Sequence, residues 1–374
     1  MADLAFLTER MRLGFGADLV VDQVAAGLAQ RGHDVTVYAS YEDGTYADRP
    51  YRLVSFGVPV TRWAATYDLR AWRQAYGAQL TSVHHDLFCA ATPPFFSLLP
   101  SLRERGFAIE FGVSDWKGFP RSTRFNFRYS QEIQQRFLFR YAARLLPISQ
   151  FLADELPERL RAKATPILLG ADHYPLADEG AGAELRTRLG LSDDEVMILY
   201  VGRLNPDGQP YKGTAELVDV AARLRAELPQ ARLVMAGFGT EADGDWVRSH
   251  GGLAVVNAPV EDMPSLFAAA DIYVTASKWE GFDLPLVEAQ RAGAPVVAYR
   301  AGAHPEVVDD GVSGTLVNLS STQSDELLAA LRELVLDPDR RAAMGVKARE
   351  WAGRFRWEET VEGYDRVVHE LLAQ

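Results

Sequence analysis

Apolar residues recur along the first half of the chain in short runs, and stretches with helical periodicity separate them. The runs cover residues 4–7, 34–39, 107–111 and 145–148, and a helical pattern fills residues 18–30 between the first two. Short apolar strands that alternate with helices are typical of a mostly parallel sheet with helices on its faces. The first half is therefore predicted to be an α/β domain that opens with a β-α-β unit.

The pattern restarts more regularly after residues 170–182, a stretch rich in Gly, Pro and Asp that is typical of a linker. The second half is predicted to contain strands at 196–201, 231–236, 254–257, 272–275 and 295–299 and helices at 214–227 and 264–269. Such a half is expected to be doubly wound, with ligand sites beyond the carboxyl ends of its strands. A length of 374 residues suits two α/β domains with a cleft between them.

Composition and charge narrow the class of protein. Hydrophobic residues make up 48% of the chain and charged residues 24%, as in folded globular proteins. The net charge of −12 argues against a nucleic-acid partner, which would be bound through Lys and Arg. Cys89 is the single cysteine, so neither an internal disulfide nor a cysteine-based zinc cluster is expected. No apolar run approaches the ~20 residues of a membrane span and no leader pattern opens the chain, so a cytoplasmic protein is predicted.

Two glutamates frame the most informative segment, WEGFDLPLVEA at residues 279–289. Glu280 is predicted on a turn after a strand, and Glu288 about one turn inside a helix whose first turn contains Pro285. Both carboxylates would then face one ligand. The backbone amides of residues 281–284 would lie at the helix N-terminus, where a phosphate is favoured. The alternative is an ordinary capped helix with one exposed glutamate.

A second segment supplies cations. The sequence VGRLNPDGQPYKG at residues 201–213 leaves a strand end with Arg203 and reaches Lys212 through a loop. Arg and Lys are the usual partners of a diphosphate, Arg through a planar fork and Lys as a point charge. The alternative is a surface loop with two solvated cations.

These segments resemble the retaining glycosyltransferases of family 4. The resemblance rests on Arg203 and Lys212, AGFG at 236–239, ADIYVTAS at 270–277, the two-glutamate turn, and GAPVVAY at 293–299. Their order and spacing match over residues 201–299, and weaker similarity extends to residues 14–39 and 355–367.

The resemblance implies a fold and an activity. The GT-B fold of this family consists of two facing Rossmann-like, doubly wound α/β domains with a cleft between them. Residues 1–169 would bind the acceptor, residues 170–354 would bind the nucleotide sugar, and residues 355–374 would form a closing helix that crosses back to the first domain. The implied enzyme is a retaining hexosyltransferase that moves a sugar from a nucleoside diphosphate sugar to a small-molecule, saccharide or lipid-linked acceptor.

The functional residues of the family carry over to matching positions. Arg203 and Lys212 would hold the diphosphate. Glu288 would bind the ribose hydroxyls, and Glu280 would bind the hydroxyls of the donor sugar near the reacting carbon. The remaining donor-binding positions would be Gly14, Gly16, Gly237, Gly281, Phe282, Asp283 and Leu284.

Two positions depart from the family pattern. The segment SVHHDLFCA at 82–90 lacks the commoner H-x-H spacing, so His85 is the expected catalytic histidine beside the sugar and His84 competes for the role. Asp283 stands where glycine is common in the family. Its carboxylate would lie close to the donor sugar and help to choose it, or it would simply cap the following helix.

Other motifs point to competing functions. Gly237, Gly239 and Ala242 fit the fingerprint of a dinucleotide-binding oxidoreductase, but a DGD turn is predicted to follow instead of a helix. Asp243 and Asp245 resemble a metal-binding D-x-D. No metal or other cofactor is expected, because the two cations and a helix N-terminus can neutralise the diphosphate. A nucleotide-sugar epimerase, a pseudo-glycosyltransferase that joins cyclitols, and a non-catalytic sugar-nucleotide binding module are alternatives on the same fold.

Residues 121–144 combine basic and aromatic side chains. The arginines are Arg121, Arg124, Arg128, Arg136, Arg140 and Arg144, and the aromatic residues are Phe125, Phe127, Tyr129, Phe137, Phe139 and Tyr141. Such a stretch could contact a membrane, with arginines on anionic lipids and aromatics among the headgroups. We prefer the alternative of an ordinary amphipathic helix with buried aromatics and solvated arginines.

Overall fold

In the computed structural model of the chain, the described residues are 1–46, 48–57, 77, 80, 82–93, 95–112 and 134–374. They form two compact units. The first takes in the described residues of 1–112 and 134–170 together with Trp357–Gln374, and the second takes in Ala171–Arg356. Each unit holds one six-stranded sheet, and all neighbouring strands in both sheets are parallel.

The sheet of the first unit has the strand order β3-β2-β1-β4-β5-β6. Its strands are β1 (Asp3–Met11), β2 (Asp34–Glu42), β3 (Arg52–Ser55), β4 (Leu87–Ala90), β5 (Gly106–Glu110) and β6 (Leu145–Pro147). Its α-helices among the described residues are α1 (Gly16–Gln30), α2 (Leu99–Leu102), α3 (Gln150–Glu155), α4 (Glu158–Arg161) and, at the end of the sequence, α13 (Trp357–Leu372). Every residue of β4 and β5 is buried, as expected for central strands of a parallel sheet that is covered on both faces.

The sheet of the second unit has the strand order β12-β11-β10-β7-β8-β9. Its strands are β7 (Val196–Arg203), β8 (Ala231–Phe238), β9 (Leu253–Val256), β10 (Ile272–Thr275), β11 (Val296–Tyr299) and β12 (Gly314–Val317). Its helices are α5 (Ala181–Arg188), α6 (Thr214–Glu227), α7 (Glu241–Ser249), α8 (Met263–Ala269), α9 (Leu284–Ala292), α10 (His304–Val307), α11 (Gln323–Leu336) and α12 (Pro338–Ala352). The two units confirm the predicted α/β class with two Rossmann-like, doubly wound domains.

The order of the second sheet reverses between β7 and β10. From β7 the chain runs outward through β8 to β9, returns to β10 on the other side of β7, and then runs outward through β11 to β12. Connections that leave in opposite directions open a crevice beyond the carboxyl ends of the two strands, where doubly wound sheets bind ligands. The loops after β7 and β10 are thus placed to line a ligand site.

Helix α13 belongs to the first unit although it comes last in the sequence. It lies against α1 at Gly27, where a Cβ would come within 2.5 Å of the Val361 side chain. A second glycine, Gly363, packs α13 against Ile167. The absence of side chains at these glycines lets α13 pack closely on α1 and on the segment that contains Ile167.

The structure differs from the sequence-based expectation at residues 243–245 and at three short strands. Residues 243–245 are not a turn, because α7 runs through them. Thr240 accepts a hydrogen bond from the amide of Asp243, and the Asp243 carboxylate accepts one from the amide of Thr240, so reciprocal capping starts the helix here. The periodicity also does not predict the short strands β3, β4 and β12, although it predicts β9, β10 and β11, which have the same length of four residues.

Candidate functional site

The loops after β7 and β10 meet through an ion pair. Lys212 ends a short 3₁₀ turn and donates from Nζ to Oε1 of Glu280 at 2.6 Å. The backbones also meet, because the amide of Lys278 donates to the carbonyl of Tyr211 at 2.7 Å. The structure therefore brings Lys212 and Glu280, predicted separately from two segments, into the crevice between β7 and β10.

Two glycines make this close approach possible. Gly213 has a φ of +65°, and a Cβ there would collide with the carbonyl oxygen of Ala276, just after β10. Gly302 has a φ of +58°, and a Cβ there would collide with the backbone of Glu280. Both conformations lie in the left-handed region, which glycine adopts readily and other residues rarely do. The loops after β7, β10 and β11 are consequently packed backbone to backbone.

The ion pair is shielded from water. The side chain of Glu280 is 9% exposed and that of Lys212 is 24% exposed. Burial alone would lower the pKa of Lys212, but the carboxylate of Glu280, with Asp283 beyond it, raises the pKa instead. Burial raises the pKa of Glu280, and the Lys212 ammonium offsets only part of that rise. Lys212 therefore stays a cation, and Glu280 keeps it in the crevice.

Helix α9 begins four residues after Glu280. Pro285 lies in its first turn, and Gly293 ends it in the left-handed conformation with a φ of +97°, as the sequence predicts. Leu284 is the first helical residue. Its amide is among the free donors of the helix N-terminus, where the helix dipole favours an anion.

Three residues join Glu280 to the helix. Gly281 and Phe282 are buried, and the ring of Phe282 packs edge-on against that of Phe355. Asp283 takes the N-cap position with a φ of +75°. This left-handed conformation is unfavourable for a residue with a Cβ.

The Asp283 carboxylate has a partner that the sequence motifs do not single out. Nε2 of His304, at the start of α10, lies 3.0 Å from Oδ2 of Asp283, and Nδ1 of His304 lies 2.6 Å from the carbonyl oxygen of Tyr299. Burial alone would raise the pKa of Asp283, but the hydrogen bond and charge of His304 lower it. Burial likewise opposes the charged form of His304, yet Asp283 raises the pKa of the imidazole. The two groups therefore form a buried ion pair.

Glu288 is a buried residue of α9. Its Oε1 lies 3.3 Å from Nε2 of His173, in the segment that precedes α5. Burial, together with the charge of Asp283, raises the pKa of Glu288 to about 8. Burial also lowers the pKa of His173 to about 4. Near neutral pH both side chains are therefore held close to their uncharged forms.

Two further predicted residues lie at the carboxyl ends of β7 and β8. Arg203 is the last residue of β7 and pairs across the sheet with Phe238. Gly237 has a φ of +133°, and a Cβ there would collide with the carbonyl of Gly202. Gly237 is thus required by the packing of two strand ends, and Arg203 leaves the sheet at the same edge as the loop that carries Lys212.

The glycines predicted in the first unit lie in the loop between β1 and α1. Gly14 has a φ of +84°, and Gly16 is the first residue of α1. The buried carboxylate of Asp18 orders this loop by accepting hydrogen bonds from Nε of Arg10 at 2.7 Å and from the amide of Arg12 at 3.0 Å. Burial raises the pKa of Asp18 to about 6 despite the Arg10 charge. Gly14 and Gly16 therefore belong to an ordered loop of the first unit.

His85 is not at a carboxyl strand end. It precedes β4, whose first residue Leu87 pairs with the start of β1. Its Nδ1 bonds to Oδ1 of Asp3, and its Nε2 lies 3.0 Å from the hydroxyl of Tyr38. This corrects the expectation of a catalytic His85, because doubly wound sheets bind ligands at the opposite edge. His84 is exposed at the same amino edge.

The carboxyl edge of the first sheet holds an acid that the motifs miss. Glu110 is the last residue of β5 and is buried. Its Oε1 accepts a hydrogen bond from the amide of Gly112 at 2.8 Å, and burial raises its pKa to about 7. A single glutamate after the apolar run FAI was the available signal, and strand direction is needed to interpret it.

Part of the basic and aromatic stretch can be described. Phe137 and Tyr141 are 55% and 39% exposed, the guanidinium of Arg140 lies near both rings, and Phe139 is buried. The expectation of buried aromatics is thus wrong for Phe137 and Tyr141. The part of the prediction on residues 121–133 lies outside the described residues. None of the helices formed by the described residues is long and apolar enough to cross a membrane.

The two aspartates of the D-x-D motif are engaged in contacts of helix α7. Asp243 is engaged in capping α7, and Asp245 pairs with Arg248 at 2.6 Å. Among the described residues, one group of three side chains has ligand atoms within 4.8 Å of one another, namely His33, Asp365 and His369. This group lies between α13 and the start of β2 in the first unit.

Comparison with known proteins identifies relatives. The model for glycosyl transferases group 1 matches residues 183–351, and the model for glycosyltransferase family 4 matches residues 16–172. A D-inositol 3-phosphate glycosyltransferase of Corynebacterium kroppenstedtii is 36% identical over 222 residues, which cover 55% of this chain and 48% of the relative. The chain thus spans about half the length of the curated relatives it matches.

Solved structures show the same fold. Sucrose-phosphate synthase from Thermosynechococcus elongatus has a TM-score of 0.79 at 20% identity and covers 99% of both chains. Anabaena Alr3699/HepE in complex with UDP-glucose has a TM-score of 0.75 at 18% identity and covers 100% of both chains. Since the two family models together match most of the sequence, the chain belongs to the glycosyltransferases of the family 4 type and has their GT-B fold.

Proposed function

We propose that the chain is a retaining glycosyltransferase that moves a hexose-type sugar from a nucleoside diphosphate sugar to an acceptor hydroxyl. The observation that carries the proposal is the Lys212–Glu280 pair in the crevice between β7 and β10, next to the N-terminus of α9. A cation beside a helix N-terminus suits a diphosphate, and an adjacent carboxylate suits sugar hydroxyls.

The proposed transfer reaction requires stabilisation of the charge that develops in its transition state. As the bond between the anomeric carbon and the phosphate oxygen breaks, the sugar becomes oxocarbenium-like and the leaving diphosphate gains negative charge. The acceptor oxygen bonds to the anomeric carbon on the face that the diphosphate leaves, and its proton passes to a phosphate oxygen. Lys212, Arg203 and the amides at the start of α9 would meet the developing anion without first reorganising. In this proposal no metal ion is required.

Glu280 and Glu288 would bind different parts of the donor outside its diphosphate. Glu280 holds Lys212 in place and would accept hydrogen bonds from sugar hydroxyls near the reacting carbon. Glu288 would bind the ribose hydroxyls. Because burial raises the pKa of Glu288 to about 8, its carboxyl can donate a hydrogen bond near neutral pH as well as accept one.

The comparisons support this class of donor and acceptor. The name of the Corynebacterium relative gives an inositol phosphate as its substrate, and the Anabaena protein was solved with UDP-glucose. For this chain we propose a small-molecule, saccharide or lipid-linked acceptor bound by the first unit. The exposed Phe137 and Tyr141 support a lipid-linked acceptor, and sedimentation with anionic vesicles tests that contact.

The decisive assay incubates the purified chain with UDP-, GDP-, ADP- and TDP-sugars and an acceptor panel. A transferase releases nucleoside diphosphate faster with acceptor than without, and NMR of the product should show the anomeric configuration of the donor. Conversion of the sugar without acceptor would indicate an epimerase, and a nicotinamide absorbance change would indicate an oxidoreductase. Binding without any turnover across the panel would indicate a binding module.

Two acid variants test the division of roles. Glu280→Gln should lower the turnover number sharply while the donor still binds. Glu288→Ala should mainly weaken binding of the nucleoside diphosphate. Donor dissociation constants measured by calorimetry beside turnover numbers separate the two effects. Equal losses of both quantities in both variants would contradict the assignment.

A further inference from the structure

Asp283 occupies a conformation that its side chain makes costly. Among the described residues, Asn257 and Asp283 are the only non-glycine residues with a positive φ. Glycine would adopt a φ of +75° without penalty. Strained backbone of this kind persists where the surroundings fix it, and it is concentrated at functional sites. The position therefore carries a carboxylate in spite of the backbone preference.

The hydrogen bonds of His304 define its charge. Its Nδ1 faces a backbone carbonyl, that of Tyr299, which can only accept, so Nδ1 carries a proton. Its Nε2 faces the Asp283 carboxylate, which also accepts when ionised. Both ring nitrogens donate in an imidazolium only. His304 is wholly buried, so this cation exists there because Asp283 is beside it.

The surrounding charges explain why a cation is needed. The titratable groups whose electrostatic interactions reach this cluster are Lys212, Glu280 and Glu288, with the buried hydroxyls of Tyr200 and Tyr273. Asp283 alone would add a negative charge at the end of α9 that is proposed to receive a diphosphate. With His304 protonated, the Asp283–His304 pair is neutral as a whole. The carboxylate can thus lie beside a phosphate site without repelling the phosphate.

The ligand chemistry of this carboxylate follows from its charge. The ionised carboxylate offers only acceptor atoms, so it cannot donate to phosphate oxygens, which are also acceptors, and it accepts hydrogen bonds from hydroxyl groups. His304 contacts Oδ2, and the backbone amide of Leu286 also interacts with the carboxylate. The two oxygens of an ionised carboxylate have about four lone-pair sites, so the group keeps acceptor capacity for a ligand. Asp283 lies three residues after Glu280, which is proposed to bind the donor sugar. A sugar hydroxyl is therefore the ligand that suits this carboxylate.

We propose that His304 is a positioning residue that orients the Asp283 carboxylate and balances its charge, so that Asp283 accepts a hydrogen bond from one hydroxyl of the donor sugar and the pair selects that sugar. The proposal rests on the nucleotide-sugar site described above. It assigns sugar selection to two residues on different loops, those after β10 and β11.

The test compares variants that break the pair in different ways. Asp283→Gly removes the carboxylate and relieves the backbone, His304→Leu removes the cation, and Asp283→Gly/His304→Leu removes both. His304→Gln keeps a hydrogen-bond donor for Asp283. The matched control is His85→Leu, which removes the buried imidazole that contacts the partly exposed Asp3 carboxylate at the amino edge of the first sheet.

The measurement is binding and turnover with donors that differ at one sugar hydroxyl, beside binding of the free nucleoside diphosphate. Asp283→Gly should lower the preference for the best sugar about tenfold, the loss of one charge-assisted hydrogen bond, and leave nucleoside diphosphate binding within about twofold. The double variant should show the same sugar ranking as Asp283→Gly. His304→Leu alone should weaken nucleoside diphosphate binding, because an unpaired carboxylate then faces the phosphate, and His304→Gln should restore part of the ranking.

The outcomes separate this proposal from the proposed function. If Asp283→Gly and the folded double variant keep the wild-type sugar ranking, sugar selection by the pair is overturned while transfer activity stands. If the wild type binds donors but transfers no sugar, the proposed function fails, and the ratio of sugar-nucleotide to nucleoside diphosphate affinity still tests the pair. His85→Leu should leave that ratio unchanged, and a changed ratio in this control would overturn the site-specific effect.

Discussion

Two buried histidines contact aspartates at opposite edges of two similar parallel sheets. His85 contacts Asp3 at the amino edge of the first sheet, and its second nitrogen meets the hydroxyl of Tyr38. His304 contacts Asp283 beyond the carboxyl edge of the second sheet, and its second nitrogen meets a carbonyl. A hydroxyl can donate to a neutral imidazole, whereas a carbonyl cannot. Strand direction and the second partner, rather than the residue pair itself, therefore separate a structural contact from a candidate ligand group.

The largest expected effect concerns the cations at the carboxyl edge of the second sheet. Lys212→Ala should lower the turnover number by roughly 10² or more, because it removes a preorganised cation from a developing diphosphate charge. Arg203→Ala should act in the same direction. Steady-state kinetics on folded protein measure the loss, with Lys278→Ala as control, since Lys278 follows β10 and pairs with Glu216 of helix α6. Near-normal turnover of the folded double variant Arg203→Ala/Lys212→Ala would contradict the site.

The next largest effect concerns His85 at the amino edge of the first sheet. His85→Leu should cost roughly 1–3 kcal/mol of unfolding free energy, because it leaves a buried hydroxyl without its partner, and should change the turnover number less than threefold. Urea unfolding and kinetics on the same preparation measure both. A stable His85→Leu variant with a hundredfold loss of turnover would break the comparison and return His85 to a catalytic role.

Glu288, a third buried or partly buried acid in addition to Asp3 and Asp283, should make the stability of the protein depend on pH. The pKa of Glu288 is raised from 4.5 to about 8, so the folded chain retains a proton there that the unfolded chain loses above pH 4.5. Its contribution to stability is complete below pH 4.5 and falls by up to ~1.4 kcal/mol per pH unit until pH passes about 8. The stability of wild type relative to Glu288→Gln should thus decline between these limits. Parallel pH profiles from urea unfolding would contradict a raised pKa.

The smallest effect concerns metal ions. Chelation with EDTA should change the turnover number less than twofold, because Lys212, Arg203 and the α9 amides are proposed to neutralise the diphosphate. Activity that disappears with EDTA and returns with a divalent cation would refute this part of the proposal. His33→Ala provides a control for a metal held by the group between β2 and α13.

Local patterns in the sequence predict much of the second unit. The turn at Glu280, the proline in the first turn of α9 and the glycine that ends it are all within 14 residues, so spacing alone defines them. Lys212 and Glu280 are 68 residues apart, and the family resemblance relates them. Strand order then explains why they meet.

Other features depend on contacts that spacing does not reveal. The Asp283–His304 contact links two loops, and an unexpected aspartate followed by a histidine after the next strand was its only signal. His85 was misplaced because SVHHDLFCA does not show whether the strand starts before or after the histidines. The helix at Asp243 carries a T-x-x-D capping pattern that the DGD motif obscured.

The position of α13 has a consequence for how the protein is made. The first unit takes its last helix from Trp357–Leu372, so during synthesis the ribosome completes the entire second unit before α1 can contact Val361. Until then, the face of α1 that packs against α13 has no partner helix. Folding of the second unit can proceed as its residues emerge, whereas the first unit is completed only afterwards, through contacts between α1 and α13.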